Sequence, residues 1–318
     1  MILATLILCI CMYLYFKIAD KYNIIDKPNE RSSHNEIIIR GAGIIFPIAC
    51  LLYFFQSNFY YPYFIAGVVL ISLISFFDDI KTTKNSIRFI VQFVCVLLLF
   101  YQTNFLNNCH YSILIVALIF AIGILNAWNF MDGINGITGL YSIATIATLL
   151  FINLYTTPFI ETELLLVTII ALLIFNFCNT RKKALCFAGD VGSISIAFII
   201  IFALASLILK TNHLEYILLL AVYGVDSALT IAFRLINKEN IFKAHRSHLY
   251  QWLVHKQKMS HLKVSFIYFL IQLAVNFILI QFILQSENSI YQSIIILILL
   301  GLIYIALKQK LKNQHQEC

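Results

Sequence analysis

The sequence predicts an all-α, polytopic integral membrane protein, and three observations carry that prediction. The 318-residue chain is 61% hydrophobic and only 12% charged, with a mean hydropathy of +0.88, too apolar for one water-soluble core. Apolar runs long enough to span a bilayer, which takes about 20 helical residues, recur along the whole chain. The basic residues then fall at alternate ends of those runs, as expected if Lys and Arg are retained on the cytoplasmic side.

In order, the runs lie at about 1–19, 42–56, 61–77, 88–101, 111–128, 134–154, 162–178, 191–209, 214–233, 264–284 and 289–307, about eleven helices in one transmembrane unit over 1–318. The first begins at Met1 without a basic leader or a small-residue cleavage site, so it reads as a retained span. Threading with the N-terminus outside places Lys21, Lys27, Arg31 and Arg40 inside, then Lys81, Lys84 and Arg88, then Arg181 to Lys183. The segment from Arg234 to Lys263 and a cytoplasmic C-terminal tail with Lys308, Lys310 and Lys312 follow on the same side. Of the 22 basic residues only Lys210 falls outside, and dropping one helix would invert everything after it. The net charge of +7 therefore reads as topology and not as nucleic-acid binding. Eight cysteines without CxxC or His/Cys ligand spacing imply neither a disulfide framework nor a zinc site.

The unusual polar residues collect in the loops on the inner side. Asn126-Ala-Trp-Asn-Phe-Met-Asp-Gly-Ile-Asn-Gly-Ile-Thr-Gly139 sets three amides, a carboxylate and three glycines directly after an apolar run. A carboxylate at the centre of a membrane helix costs roughly 2.5 to 3.5 kcal/mol on insertion scales, so Asp132 is either paired or part of a site. Asn126, Asn129 and Asp132 recur every third residue along one helix face, whereas packing through small residues would explain the glycines but not the acid. Asp78 and Asp79 end another apolar run; they are either a helix end facing headgroups or an acidic pair relieved by a divalent cation or a proton. Asp190, flanked by Gly189 and followed by Ser193, reads either as a helix N-cap or as a metal ligand beside an anion site. His245, Arg246 and His248 suit an anionic substrate, and Asp226, within the ninth span, reads either as a functional acid or as an ion-pair or hydrogen-bond group tying helices together behind the site.

Taken together, these strings resemble the polyprenyl-phosphate N-acetylhexosamine-1-phosphate transferases (glycosyltransferase 4 family), which include the phospho-N-acetylmuramoyl-pentapeptide translocase. The resemblance rests on Asp26-Lys-Pro-Asn-Glu-Arg-Ser-Ser-His34 with Arg40-Gly-Ala-Gly43, on Phe77-Asp-Asp79, on the Asn126 to Gly139 run, on Phe187-Ala-Gly-Asp-Val-Gly-Ser193, and on His245-Arg-Ser-His-Leu-Tyr-Gln251. It implies transfer of a sugar 1-phosphate from a UDP-N-acetyl sugar to undecaprenyl phosphate, with release of UMP, at the cytoplasmic face of a bacterial inner membrane. It also implies Mg2+, with Mn2+ as a substitute, and a homodimer among the expected partners beside membrane lipid.

The resemblance implies roles residue by residue. Asp78 and Asp79 match the essential acidic pair, Asp190 the magnesium ligand with Asp79 beside it, and Asn129 and Asp132 the nucleotide-side motif, with Asn126 and Asn135 adjoining. Phe187 resembles the aromatic that stacks on uracil. His245, Arg246 and His248 resemble the diphosphate-holding loop, with His248 counted as catalytic, and Arg40 and His34 are further substrate-binding candidates. Asn135 stands where many members have a second Asp, and Ile37-Ile-Ile39 replaces a Pro-Thr-Pro. The last loop is similar to the branch that starts O-antigen or capsule chains. A donor of N-acetylglucosamine, N-acetylgalactosamine or a 6-deoxy-N-acetyl sugar is compatible with it. The competing reading is a transporter of ions or lipids, which predicts polar groups near the bilayer midplane.

Overall fold

The computed structural model describes residues 1–26, 37–240 and 246–313. Thirteen α-helices follow in these segments: α1 (Ile2–Lys21), α2 (Ile45–Gln56), α3 (Pro62–Ile80), α4 (Asn85–Gln102), the short α5 (Phe105–Asn108), α6 (Tyr111–Met131), α7 (Ile137–Tyr155), α8 (Thr162–Asn179), α9 (Gly189–Thr211), α10 (Ala221–Ile236), α11 (Leu249–His255), α12 (His261–Ile278) and α13 (Ser289–Asn313). A 3₁₀ turn at Ala42–Ile44 leads into α2, another at Leu214–Leu220 leads into α10, and a π-helical turn at Leu279–Ile283 extends α12. The strands are two residues each, β1 (Ile25–Asp26) and β2 (Ile38–Ile39), paired antiparallel.

Local chemistry sets several of the helix ends. Pro62 opens α3, where its missing N–H costs nothing. Ser260 accepts from the Lys263 amide at the start of α12, and Asn212 closes α9 in the left-handed conformation.

The most buried element is α9: 83% of its apolar window is enclosed, against 11% for α13, so α9 is the axis and α13 lies at the rim. Around α9 pack α2, α3, α6 and α7, while α12 closes on α7 and α13 on α10. Phe64 stacks on Phe202 with ring centroids 4.0 Å apart, and Gly67 lets α3 approach: a Cβ there would meet Phe198 at 2.7 Å. On the other flank Trp128, Tyr141 and Tyr223 form one aromatic cluster, and the Tyr141 hydroxyl donates to Gln272 at 2.5 Å. Such buried bonds knit helices where lipid offers no hydrophobic drive between them.

Among the described residues ten helices are long and apolar enough to cross a membrane, and the expected eleventh, Ala42–Gln56, is shorter. At 1.5 Å per residue its fifteen residues rise about 22 Å, less than the roughly 30 Å of a bilayer core. It nevertheless joins the two ends of the bundle. Before it, Ala42 and Gly43 donate to the carbonyls of Phe187 and Ala188 at the start of α9; after it, the Tyr61 hydroxyl accepts from the Glu161 amide at the start of α8. The opposite end of α8 returns to the first level, where Asn179 accepts from the Gly136 amide at 2.7 Å. The alternation of chain direction after α2 is therefore the one expected for eleven crossings.

Candidate active site

Three aspartates from two helices meet at one end of the bundle. Asp79, in the last turn of α3, is fully enclosed, and its two carboxylate oxygens accept from the amides of Asp190 and Val191 at 2.9 and 3.0 Å. It thus satisfies two of the orphan N–H groups that every helix start leaves, here those of α9. Asp190 sits in that same first turn with its side chain 15% exposed. Asp78 is held from the other side, accepting from the amide and hydroxyl of Thr83 at 2.6 and 2.7 Å.

Two arginines stitch the acids together. Arg40 Nε donates to Asp79 at 2.7 Å and its Nη2 to Asp190 at 3.2 Å. Arg88 Nη1 donates to Asp78 at 2.8 Å while its Nη2 lies 3.3 Å from the second oxygen of Asp190. Burial alone would lower the pKa of Arg40, but the charges of Asp79, Asp190 and Asp26 outweigh it and hold it above its usual range. Planar forks of this kind match carboxylates and phosphates equally well.

Glycines allow the close approach. Gly189 has a left-handed φ of +71°, and a Cβ on it would lie 2.5 Å from an Asp79 carboxylate oxygen and 2.8 Å from the Gly41 Cα. A Cβ on Gly43 would fall 2.1 Å from the Gly192 Cα, so the two glycine strings of the sequence are the two halves of one backbone contact. The chain beside it is zipped by a parallel bridge between Ile39 and Cys186, by the Phe187 amide donating to Ile39 at 2.8 Å, and by the Tyr15 hydroxyl donating to the Arg40 carbonyl at 2.5 Å.

Asn129 and Asp132 reach the cluster from α6. Asn129 donates to Ser193 Oγ at 3.2 Å, which ties α6 to the first turn of α9. Asp132 terminates α6, keeping partial solvent access. Its pKa is pushed up to about 7, first by burial and then by the charges of Asp190 and Asp79, with a Thr138 hydrogen bond and Arg40 opposing.

Other expected site residues lie elsewhere. Asn126 donates to Ile122 within its own helix at 2.8 Å and to Gln92 of α4 at 3.3 Å, a helix-packing arrangement. Asn135 is buried, and its amide donates to the carbonyls of Arg181 and Lys182 at 2.9 and 3.3 Å, so it shapes the basic loop from behind. His248 is only 1% exposed; its Nδ1 lies 3.1 Å from Asp226, and with Gln251 it forms the capping box of α11. Asp226 is the hub of that corner, accepting also from the Leu249 amide at 3.1 Å and the Tyr268 hydroxyl at 2.6 Å. In this arrangement the His248 ring is enclosed and held by Asp226, which positions it at the start of α11. Tyr250, two residues on, donates to the Phe130 carbonyl at 2.9 Å and fills the space left by Gly133, which joins the last motif to the Asn126 run. Phe187 is half-buried beside the acidic cluster, and Arg246 accepts through its carbonyl from Trp252. His34 and His245 lie outside the described residues.

Arg88 is the site residue that sequence reading passed over, counted only as a cytoplasmic charge. The signal was its place ten residues after Asp78, in the first turn of the next helix. Among the described residues no three His, Cys, Asp or Glu side chains converge as a ready metal cage. The three aspartates gather at one end of the bundle, where a transporter would set its polar groups near mid-depth.

An all-α membrane bundle with acids and arginines converging at one end is the architecture expected of a membrane transferase acting on phosphates. Residues 61–210 match the family model described as Glycosyl transferase family 4, the family that the motifs resemble. That segment holds Asp78, Asp79, the Asn126 run and Asp190. A protein of Methanocaldococcus jannaschii provisionally named a glycosyltransferase is 29% identical over 193 residues, 59% of this chain and 60% of that relative's length. A Bacillus subtilis protein provisionally named undecaprenyl-phosphate N-acetylglucosaminyl 1-phosphate transferase is 24% identical over 257 residues, 75% of this chain and 72% of the relative.

Proposed function

We propose that the protein transfers an N-acetylhexosamine 1-phosphate from a UDP-sugar to undecaprenyl phosphate, at the cytoplasmic face of a bacterial membrane, and so starts a cell-surface polysaccharide. The observation that carries this reading is the convergence of Asp78, Asp79 and Asp190 with Arg40 and Arg88 at one end of the bundle. The family match and the name of the B. subtilis relative support the same reaction class.

The acceptor is a phosphate monoester with a second pKa around 6, largely dianionic at neutral pH, so it needs little help from a base. Its oxygen attacks the β-phosphorus of the UDP-sugar, a new P–O–P bond forms, the bond to the bridging oxygen breaks, and UMP departs with that oxygen. Arg88 and Arg40 bind phosphate oxygens as the charge shifts toward the leaving group. Asp78, fixed by Thr83, orients the acceptor. Asp132, with its pKa near neutrality, holds or releases a proton on the nucleotide side. Magnesium, or manganese, suits this donor set as an ion shared with the diphosphate, because Mg2+ is commonly held by one or two carboxylates plus substrate phosphates. Asp190 and Asp78 would hold it, since Asp79 is committed to backbone amides of α9 while the arginine side chains on the other two acids can turn to substrate phosphates. Its chemistry there would be to neutralise charge on the diphosphate.

The test is UMP release by the purified chain supplied with undecaprenyl phosphate, magnesium and a panel of UDP-N-acetyl sugars. Release with at least one sugar is expected, with a loss of about a hundredfold or more in Asp190→Asn. No release with any sugar, or unchanged release in Asp190→Asn, overturns the proposal. A phosphorylated enzyme trapped with UDP-sugar alone, and lost in Asp78→Asn, would replace direct attack by a covalent aspartyl-phosphate route.

A further inference from the structure

A cavity of about 560 Å³ opens at the end of the bundle opposite the acidic cluster, between the ends of α7 and α9 and the π-helical turn after α12. Its polar lining includes Lys210, His213, Gln281 and Gln285, and its apolar wall includes Phe151 and Leu284. Nothing in the proposed reaction uses it. Its position is unusual in charge: Lys210 is the one basic residue that the threading leaves at this end. Among the described residues its ammonium has neither an ion pair nor a hydrogen bond. His213 lies 3.4 Å from Glu215, and Glu215 is further bound by Ser289, so the cation left to face the mouth is Lys210.

The π-helical turn is an independent pointer to a ligand. Such turns are rare and gather at functional sites because the inserted residue re-aims side chains; this one carries Gln281 to the cavity and ends one residue before Leu284. Phe151 in the wall is 44% exposed, and Phe282, beside Gln281 in the π-helical turn, is 62% exposed, an apolar flank open to acyl chains. A cation above amide donors with an apolar flank below suits a molecule with one anionic head and hydrocarbon tails.

We propose that this cavity binds the phosphodiester headgroup of an anionic membrane lipid, with Lys210 as its counter-ion and Gln281 and Gln285 as hydrogen-bond donors. The test counts phosphatidylglycerol molecules bound to the delipidated, detergent-solubilised protein by native mass spectrometry. Lys210→Gln is expected to weaken the first bound lipid by about fivefold, the contribution of one basic residue near a membrane surface. Lys210→Arg should preserve the affinity, and Lys312→Gln, exposed at the other end of the chain, should leave it unchanged. Equal losses in Lys210→Gln and Lys312→Gln, equally tight binding of phosphatidylcholine, or no loss in Lys210→Gln would overturn the proposal. Displacement of the lipid by millimolar inorganic phosphate would assign the cavity to free anions and overturn the lipid reading.

Discussion

Asp132 has the most consequential titration among the site residues, because its neutral and charged forms interchange near physiological pH. Its pKa rises on folding from 3.8 to about 7, so the folded state keeps a proton that the unfolded chain releases. Its contribution to stability is accordingly present below about 4 and is lost as pH rises toward 7. In protein stripped of divalent ions the unfolding midpoint should fall over that window, and the fall should be shallower in Asp132→Asn. Equal slopes in the two proteins would show that Asp132 does not hold the proton. The acid itself was legible in the sequence, since its place after an apolar run has few innocent explanations. Its environment was not: Asp190 and Asp79 lie 58 and 53 positions away along the chain, and only folding brings their charges near it. The same limit applied to Asp226 and His248. Each was visible as a titratable side chain, but their pairing, which sets His248 at the cap of α11, depends on how α10 meets that segment.

At the scale of elements, the glycine strings in the sequence turned out to be one joint. Gly43 and Gly192 let the turn before α2 rest backbone to backbone on α9, and that contact sets the position of the amides that Asp79 caps. Gly43→Ala should therefore act twice. Overpacking of a fitted contact costs about 1–3 kcal/mol, which a shift in the thermal midpoint would register. Separating the α2 turn from α9 should also pull Arg40 away from Asp79 and Asp190, so UMP release should drop by more than the loss of folded protein explains. A variant of wild-type stability and activity would remove the joint from the account. In the sequence Gly43 and Gly192 stand only within the strings that carry the family resemblance, and their backbone contact is what folding adds. What spacing alone could not reveal was the partner, because Gly43 and Gly192 are brought together by the Ile39–Cys186 bridge and the hydrogen bonds beside it.

For the whole molecule, composition and charge alternation were sufficient to read an all-α membrane bundle, because the bilayer makes apolar length a direct reporter of a crossing. The count was less secure than the class. The segment 42–56 is apolar enough to be taken as a full span, and its shortness shows only when the turn at Ala42–Ile44 and the end at Gln56 are located. Direction nevertheless depends on it, since a helix that failed to cross would invert everything downstream. The contacts of Ala42 with Phe187 and of Tyr61 with Glu161 place its two ends at opposite faces, and the three crossings α8, α9 and α10 separate Thr157 from Lys256, so those two should lie on opposite sides of the membrane. Lys256 belongs to the site end: it stacks over Trp252 at 3.4 Å, and Lys308 near the end of α13 lies over the same ring at 5.3 Å. A reporter active only outside the cytoplasm should thus work when fused after Thr157 and fail after Lys256, and a cytoplasmic reporter should give the reverse. The inverted pattern, Thr157 inside and Lys256 outside, would put Asp78, Asp79 and Asp190 on the outer face and overturn the cytoplasmic site; fusions at Asn23 and Asn58, which flank α2, should report opposite sides if α2 crosses.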